Sequence, residues 1–314
     1  MQIFFHLLYG VGGIILLYYG AEWLVSGGMA VARKMKVPPL VIGLTLVAFG
    51  TSAPELVVSA DAAISGHGDV CIGNVVGSNI ANIALILGIC SLISPLTVNK
   101  KLFKMDVPVL ILASIMLWVF HCFSEGVTGW QGGIFLLGII AYTLYNLYAS
   151  RRENPPETEG GEAVQNICIA LALVMVIGGL AALAGGGKLL LKSAVYIAEL
   201  CKVPEAVIGL TIVAVGTSLP ELAASIVAAH RGKADIAIGN VIGSNIFNIL
   251  GILGVAPLLA PVHAPGISTA DMIFMLFLTL ALVPIMKSGH KIDRREGFCL
   301  LGLYIAYTIW LILS

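Results

Sequence analysis

Gly50-Thr51-Ser52-Ala53-Pro54-Glu55 lies about halfway along an apolar run from Val37 to Gly66, and the fold turns on how it is read. The hexapeptide returns as Gly216-Thr217-Ser218-Leu219-Pro220-Glu221 inside a second apolar run. Each copy is followed by another polar signature, GNVVGSN from Gly73 and GNVIGSN from Gly239. A proline inside a helix removes a backbone donor and leaves the carbonyl one turn earlier without its partner, which opens the helix where the carboxylate sits. Carbonyls, hydroxyls and a carboxylate then converge, and these are the ligands of a hard cation such as Ca2+ or Na+. Discontinuous helices of ion-coupled transporters present such groups near the bilayer midplane. An ionisable side chain at that depth is by default a functional one.

The composition justifies placing these residues in a membrane. Hydrophobic residues make up 59% of the 314, charged ones only 11%, and the mean hydropathy is +1.00, against roughly 25% charged residues in soluble domains. The N-terminus has no basic stretch ahead of its first apolar run and no small-residue cleavage site after it, so it reads as a retained span rather than a signal peptide. Ten segments have spanning length, near residues 3–31, 38–66, 70–93, 105–122, 128–149, 164–186, 204–229, 235–259, 269–286 and 297–313. Of the 17 Lys and Arg residues, 14 fall in five alternate connections, and only Lys188, Lys192 and Lys202 lie on the other side. The positive-inside rule therefore makes the five basic connections cytoplasmic and puts both termini outside. The net charge of zero is compatible with this asymmetry, and no nucleic-acid partner is expected.

Residue i and residue i+166 are identical at 34 of the 53 positions from Lys36 to Gly88. Self-similarity on this scale marks a duplication. Gly12, Gly13 and Gly20 also match Gly178, Gly179 and Gly186, which extends the unit into the first span and gives five spans per half. Because five is odd, the two copies enter the membrane from opposite sides, and the binding site belongs at their interface. The expected architecture is an all-α polytopic membrane protein. It has ten transmembrane helices arranged as two inverted five-helix repeats, residues 1–149 and 164–314, with helices 2 and 7 broken. Residues 150–163, charged and containing Pro and Gly, read as a solvated cytoplasmic linker. The six cysteines show no metal-type spacing and read as small apolar residues.

Glu55 and Glu221 occupy equivalent positions beside the two breaks, with no Lys or Arg on a neighbouring turn, and are the expected cation carboxylates. Thr51, Ser52, Thr217 and Ser218 add hydroxyl and freed backbone oxygens. Ser78 and Asn82 stand at i and i+4, hence on one helix face, and Ser244 with Asn248 repeats that face, so the four would complete an oxygen cage. Asn74, Asn79, Asn240 and Asn245 read as bonds between helices. Glu22, Asp61, His6 and His121 have no charged counterpart of their kind in the other half and read as interface-seeking side chains.

The paired GTSxPE and GNxxGSN signatures resemble the two alpha repeats of the cation/Ca2+ antiporter superfamily, in its prokaryotic sodium/calcium exchanger branch. The resemblance covers essentially the whole chain. It implies an antiporter in the prokaryotic cytoplasmic (inner) membrane that admits Na+ and Ca2+ in alternation to shared sites. No cofactor and no obligate protein partner are implied; the partners are the two ions and membrane lipid. Carried over by motif, Glu55 and Glu221 bind Ca2+ with the carbonyls of Thr51 and Thr217. The Na+ positions add Ser52, Ser218, Ser78, Ser244 and the carbonyls of Ala48 and Ala214, and Asn82 and Asn248 line the centre. In related exchangers the first and sixth spans slide across the remaining bundle, which makes residues 3–31 and 164–186 the moving pair. Potassium-dependent relatives commonly carry Asp where this chain has Asn248, so exchange without K+ is expected.

Other readings differ at identifiable residues. A proton/calcium exchanger of the same superfamily usually has an acidic residue in its second signature, where this chain has GSN. A cation channel is typically built from a ring of like residues contributed by several subunits, whereas this chain supplies its own pair. No HExxH motif, and no Ser/His or Asp pair at one depth, points to an intramembrane enzyme.

Overall fold

The computed structural model describes residues 2–150, 167–201 and 214–313. The helices are α1 (Gln2–Met35), α2 (Pro39–Thr51), α3 (Ala53–Ile64), α4 (Gly68–Ile93), α5 (Leu102–Ser124), α6 (Gly129–Ser150), α7 (Ile169–Leu200), α8 (Ala214–Thr217), α9 (Leu219–His230), α10 (Ala234–Leu259), α11 (Thr269–Lys287) and α12 (Arg294–Leu313). Among the described residues eight helices are long and apolar enough to cross a membrane, and α2 with α3 forms a ninth span bent by 46°. The expected span 204–229 lies partly outside the described residues.

The bend has a local cause. Pro54 falls in the first turn of α3, where its missing N–H costs no intrahelical bond, and Ser52 joins the two halves with φ −84° and ψ 5°. Pro220 and Ser218 repeat this at the start of α9. Widened π turns at Gly43–Val47, Ala81–Ile86 and Phe247–Ile252 flank the signatures. Such turns loosen the carbonyl ladder and are frequent at functional sites.

The expected boundary of the sixth span needs correction. Instead of ending near residue 186, α7 continues as one helix to Leu200. Lys188 and Lys192 interrupt the apolar run but are good helix formers, and their long stems lie along the helix surface; Lys192 Nζ sits 5.2 Å from the Tyr9 ring centre. The residues near 164 lie outside the described ones. At about 1.5 Å per residue, the 34-residue α1 and 32-residue α7 exceed the roughly 30 Å hydrocarbon core, so they tilt or protrude.

These two helices run antiparallel with their backbones in contact. A Cβ added to Gly13 would stand 2.9 Å from Gly186 O, and one added to Gly186 would stand 2.9 Å from Gly13 O. Gly20 and Gly179 form the same reciprocal pair, at 2.9 and 2.7 Å. Small residues permit this approach, and van der Waals packing then holds the helices where no hydrophobic drive exists in lipid. At the centre lie α4 and α10, with 72% and 83% of their most apolar windows buried, against 33% or less for the other long helices. They carry the two GNxxGSN signatures into the interior.

The all-α expectation misses two short ladders. Strand β1 (Leu96–Thr97) pairs antiparallel with β4 (Lys291–Ile292), and β2 (Gly126–Val127) with β3 (Val262–His263). Each ladder joins connections from opposite halves of the chain. Two-residue strands carry no periodic signal, which is why the pattern of hydropathy does not reveal them.

Candidate functional site

Glu55 and Glu221 project from the first turns of α3 and α9, and each is only 1% exposed. Their placement follows from the breaks, because a carboxylate in a first turn faces the free N–H groups and positive end of the helix dipole. The backbone carbonyl of each Glu is held from the following helix. Asn74 Nδ2 donates to Glu55 O (3.3 Å) and Ser59 Oγ (2.9 Å), and Asn240 Nδ2 donates to Glu221 O (3.3 Å) and Ser225 Oγ (2.9 Å).

The side chains cross between the halves. Ser52 Oγ donates to Glu221 Oε1 over 2.8 Å, and Ser218 Oγ donates to Glu55 Oε1 over 3.5 Å. Thr51 Oγ1 lies within donating reach of Asn240 Oδ1 (3.2 Å) and Ala48 O (3.3 Å). Ser244 Oγ reaches the same Ala48 carbonyl at 3.4 Å. Asn82 Nδ2 donates to Asn245 Oδ1 (3.0 Å), and Asn248 Nδ2 to Asn79 Oδ1 (3.2 Å). Exchanging each residue for its counterpart 166 positions away turns the first bond of the Ser–Glu pair into the second. The same exchange relates the two Asn bonds and the two Asn–Glu carbonyl bonds.

Hydrogen bonds thus join Glu55, Glu221, Ser52 and Ser218 across the two halves and bring Thr51 and Ser244 to the Ala48 carbonyl, while Asn82 and Asn248 engage Asn245 and Asn79. Ser78, Ser244, Asn82, Asn248, Ser52 and Ser218 are all buried, as are Thr51 and Ala48, while Thr217 is half-buried. Ala214 begins α8, four residues before Ser218. Ser59 and Ser225 were not anticipated as supports, although their identity across the repeat is the signal that marks them. Asn79 and Asn245, expected to bond between helices, do more. They engage the amide nitrogens of Asn248 and Asn82, so that those two side chains present their oxygens away from these bonds.

Among the described residues, four buried acceptor oxygens of these side chains have no hydrogen-bond partner, Glu55 Oε2, Glu221 Oε2, Asn82 Oδ1 and Asn248 Oδ1, and neither has the donor Asn245 Nδ2. The Ser78 hydroxyl is likewise without a partner. Buried polar atoms are almost always satisfied, and a set of unpaired acceptors is satisfied by an electrophile. Among the described residues no group of three or more His, Cys, Asp or Glu could hold a metal. The cluster thus offers two carboxylates supplemented by neutral oxygens. That chemistry suits a hard cation bound reversibly rather than a permanently chelated transition metal.

The residues set apart as interface-seeking divide. Glu22 pairs with Arg231, the residue that ends α9, and His6 stacks on Tyr196 with ring centres 3.7 Å apart. His121 differs from the expectation: it is buried, with Nε2 3.3 Å from Ile267 O.

Comparison with known proteins identifies the family of the chain. The model of the sodium/calcium exchanger protein family matches residues 5–148 and 171–313. CaxA of Alkalimonas amylolytica is 39% identical over 310 residues, covering 96% of this chain and 97% of its own. The sodium/calcium exchanger MaX1 of Methanosarcina acetivorans is 33% identical over 343 residues, with 95% of each chain covered. A structure of the sodium-calcium exchanger NCX_Mj superposes with a TM-score of 0.85 at 35% identity, over 98% of this chain and 99% of that one. This chain is an integral membrane protein and belongs to the sodium/calcium exchanger family.

Proposed function

We propose that this chain exchanges Na+ for Ca2+ across a prokaryotic cytoplasmic membrane, by alternating access to a site centred on Glu55 and Glu221. The observation that carries the reading is the set of buried acceptors without a partner on Glu55, Glu221, Asn82 and Asn248, two from the GTSxPE signatures and two from three residues past the GNxxGSN signatures, all at matching positions of the repeat. In this reading the carbonyls of Thr51 and Thr217 join the two Glu residues around Ca2+. Ser52, Ser218, Ser78, Ser244 and the carbonyls of Ala48 and Ala214 serve the Na+ positions, and the two Asn oxygens line the centre.

Electrostatics explains why the ions exchange rather than leak. Two carboxylates in a dry site carry about two negative charges, and desolvation costs several kcal/mol per uncompensated ion. An empty carrier therefore resists the passage between access states. One Ca2+ or two Na+ cancel the charge, and the loads compete because they share oxygens.

The architecture proposed is ten spans in two inverted repeats, residues 1–149 and 164–314, with residues 150–163 as a cytoplasmic linker and both termini outside. Its support is the antiparallel packing of the equivalent helices α1 and α7, and the pairing of connections by the β ladders. The ladder β1–β4 brings together two connections assigned to the cytoplasm by their Lys and Arg residues, and β2–β3 joins two assigned to the outside. In this reading α1 and α7 move as a unit past the other helices, along the face next to α9.

Purified protein in proteoliposomes tests the function. Uptake of radiolabelled Ca2+ should require an outward Na+ gradient and collapse when Na+ is equal on both sides. Ca2+ entry at the same rate without any counter-ion would refute exchange and indicate a channel.

A further inference from the structure

In a carrier built from inverted repeats, exchanging the conformations of the two halves converts one access state into the other. With identical halves the two states would have equal free energy, so any bias between them comes from positions where the halves differ. One such difference at the face of α1 is an ion pair. Arg231, at the end of α9, donates from Nε to Glu22 Oε1 (3.1 Å) and from Nη1 to Ser26 Oγ (2.8 Å), and Nη2 contacts Glu22 Oε2. Glu22 and Ser26 are one turn apart on α1, so the planar guanidinium grips a single face of that helix. The counterparts 166 positions away are Lys188 and Lys192 on α7 and Ser65 at the end of α3. Two ammonium groups and a hydroxyl can form no such ion pair, and among the described residues no ion pair joins Lys188 or Lys192 to α3.

We infer that Glu22, Ser26 and Arg231 are positioning residues for transport: they fasten α1 to the end of α9 in one access state only, and so set the ratio of the two states. The inference rests on the alternating-access reading above. The side chains are 17% exposed for Glu22 and 40% for Arg231, so the pair is partly screened, and a change of about two- to fivefold in the ratio is the scale expected of exposed pairs.

Pulsed electron–electron distance measurements between spin labels at the exposed positions 34 and 294, in a background lacking the four exposed cysteines, read that ratio in vesicles. Glu22→Gln and Arg231→Gln should each shift it about two- to fivefold in the same direction, and the shift should shrink at high salt. The charge swap Glu22→Arg with Arg231→Glu should restore the wild-type ratio. Building the mirror bridge, Lys188→Glu with Ser65→Arg, should shift it the opposite way. Glu22→Gln with an unaltered distribution, or a folded charge swap that does not restore it, would overturn the assignment while leaving exchange intact. One distance population in wild type under all ion conditions would instead remove the alternating-access reading, and the inference with it.

Discussion

Ser52 at the first helix break donates its hydroxyl hydrogen to Glu221 at the second, 2.8 Å away and 169 residues along the chain. Neither half can complete the cluster alone: each break supplies a carboxylate and the hydroxyl that touches the other's carboxylate. If these are the cation carboxylates, Glu55→Gln and Glu221→Gln each reduce Ca2+ transport to background, because an amide keeps the shape but removes one of two charges. The proteins should still insert and elute as folded species. Near wild-type exchange by either variant would reject the site.

Asn79 accepts from Asn248 and Asn245 accepts from Asn82, which holds those two amides in place. Groups that orient ligands typically matter by about tenfold to a hundredfold in affinity. Asn79→Ala and Asn245→Ala are therefore expected to weaken Ca2+ binding by about that factor, with the maximal exchange rate less affected. Isothermal titration on detergent-purified protein measures it, and unchanged affinity in both variants would reduce these residues to spacers.

The α1–α7 seam provides a matched pair of substitutions. A Cβ at Gly20 would meet Gly179 O at 2.9 Å and Leu183 N at 3.0 Å, both backbone atoms that cannot yield cheaply, whereas one at Gly12 meets nothing within 4 Å. Gly20→Val should separate the helices and abolish exchange, and Gly12→Val should retain most of it. Equal activity of the two in vesicle uptake would show that the close seam is dispensable.

The topology is tested by reporters. With 14 of 17 basic residues in alternate connections, a reporter fused after Ser314 should be active on the outer side and one inserted near Glu157 in the cytoplasm. Both on one side would contradict an inverted repeat.

Exchange is expected to proceed without K+. Asn248 is neutral, and an added carboxylate would raise the charge of the site to about three, leaving Ca2+ alone unable to balance it. Replacing K+ by choline at fixed membrane potential should leave the rate unchanged; loss of most activity, restored by K+, would reject this. Asn248→Asp should also set a carboxylate oxygen against Asn79 Oδ1 in place of the present 3.2 Å hydrogen bond, forcing Asn79 to turn.

What the chain alone determined is what depends on neighbours in sequence. Hydropathy sums over a window, so the spans are legible from it, and a repeat at offset 166 is visible without knowing any contact. An unaccompanied Glu beside a Pro in each copy singles out the two carboxylates, because burial of such a group in lipid is too costly to be incidental. The tertiary structure alone decided the partners. That Ser52 faces Glu221 rather than its neighbour Glu55, that Asn245 aims Asn82, and that Arg231 grips Glu22 all depend on backbones packed from distant segments. The same holds for the continuation of α7 past Lys188: a local scale ends the span at the first charge, while contact with α1 and the reach of a lysine stem carry the helix on to Leu200.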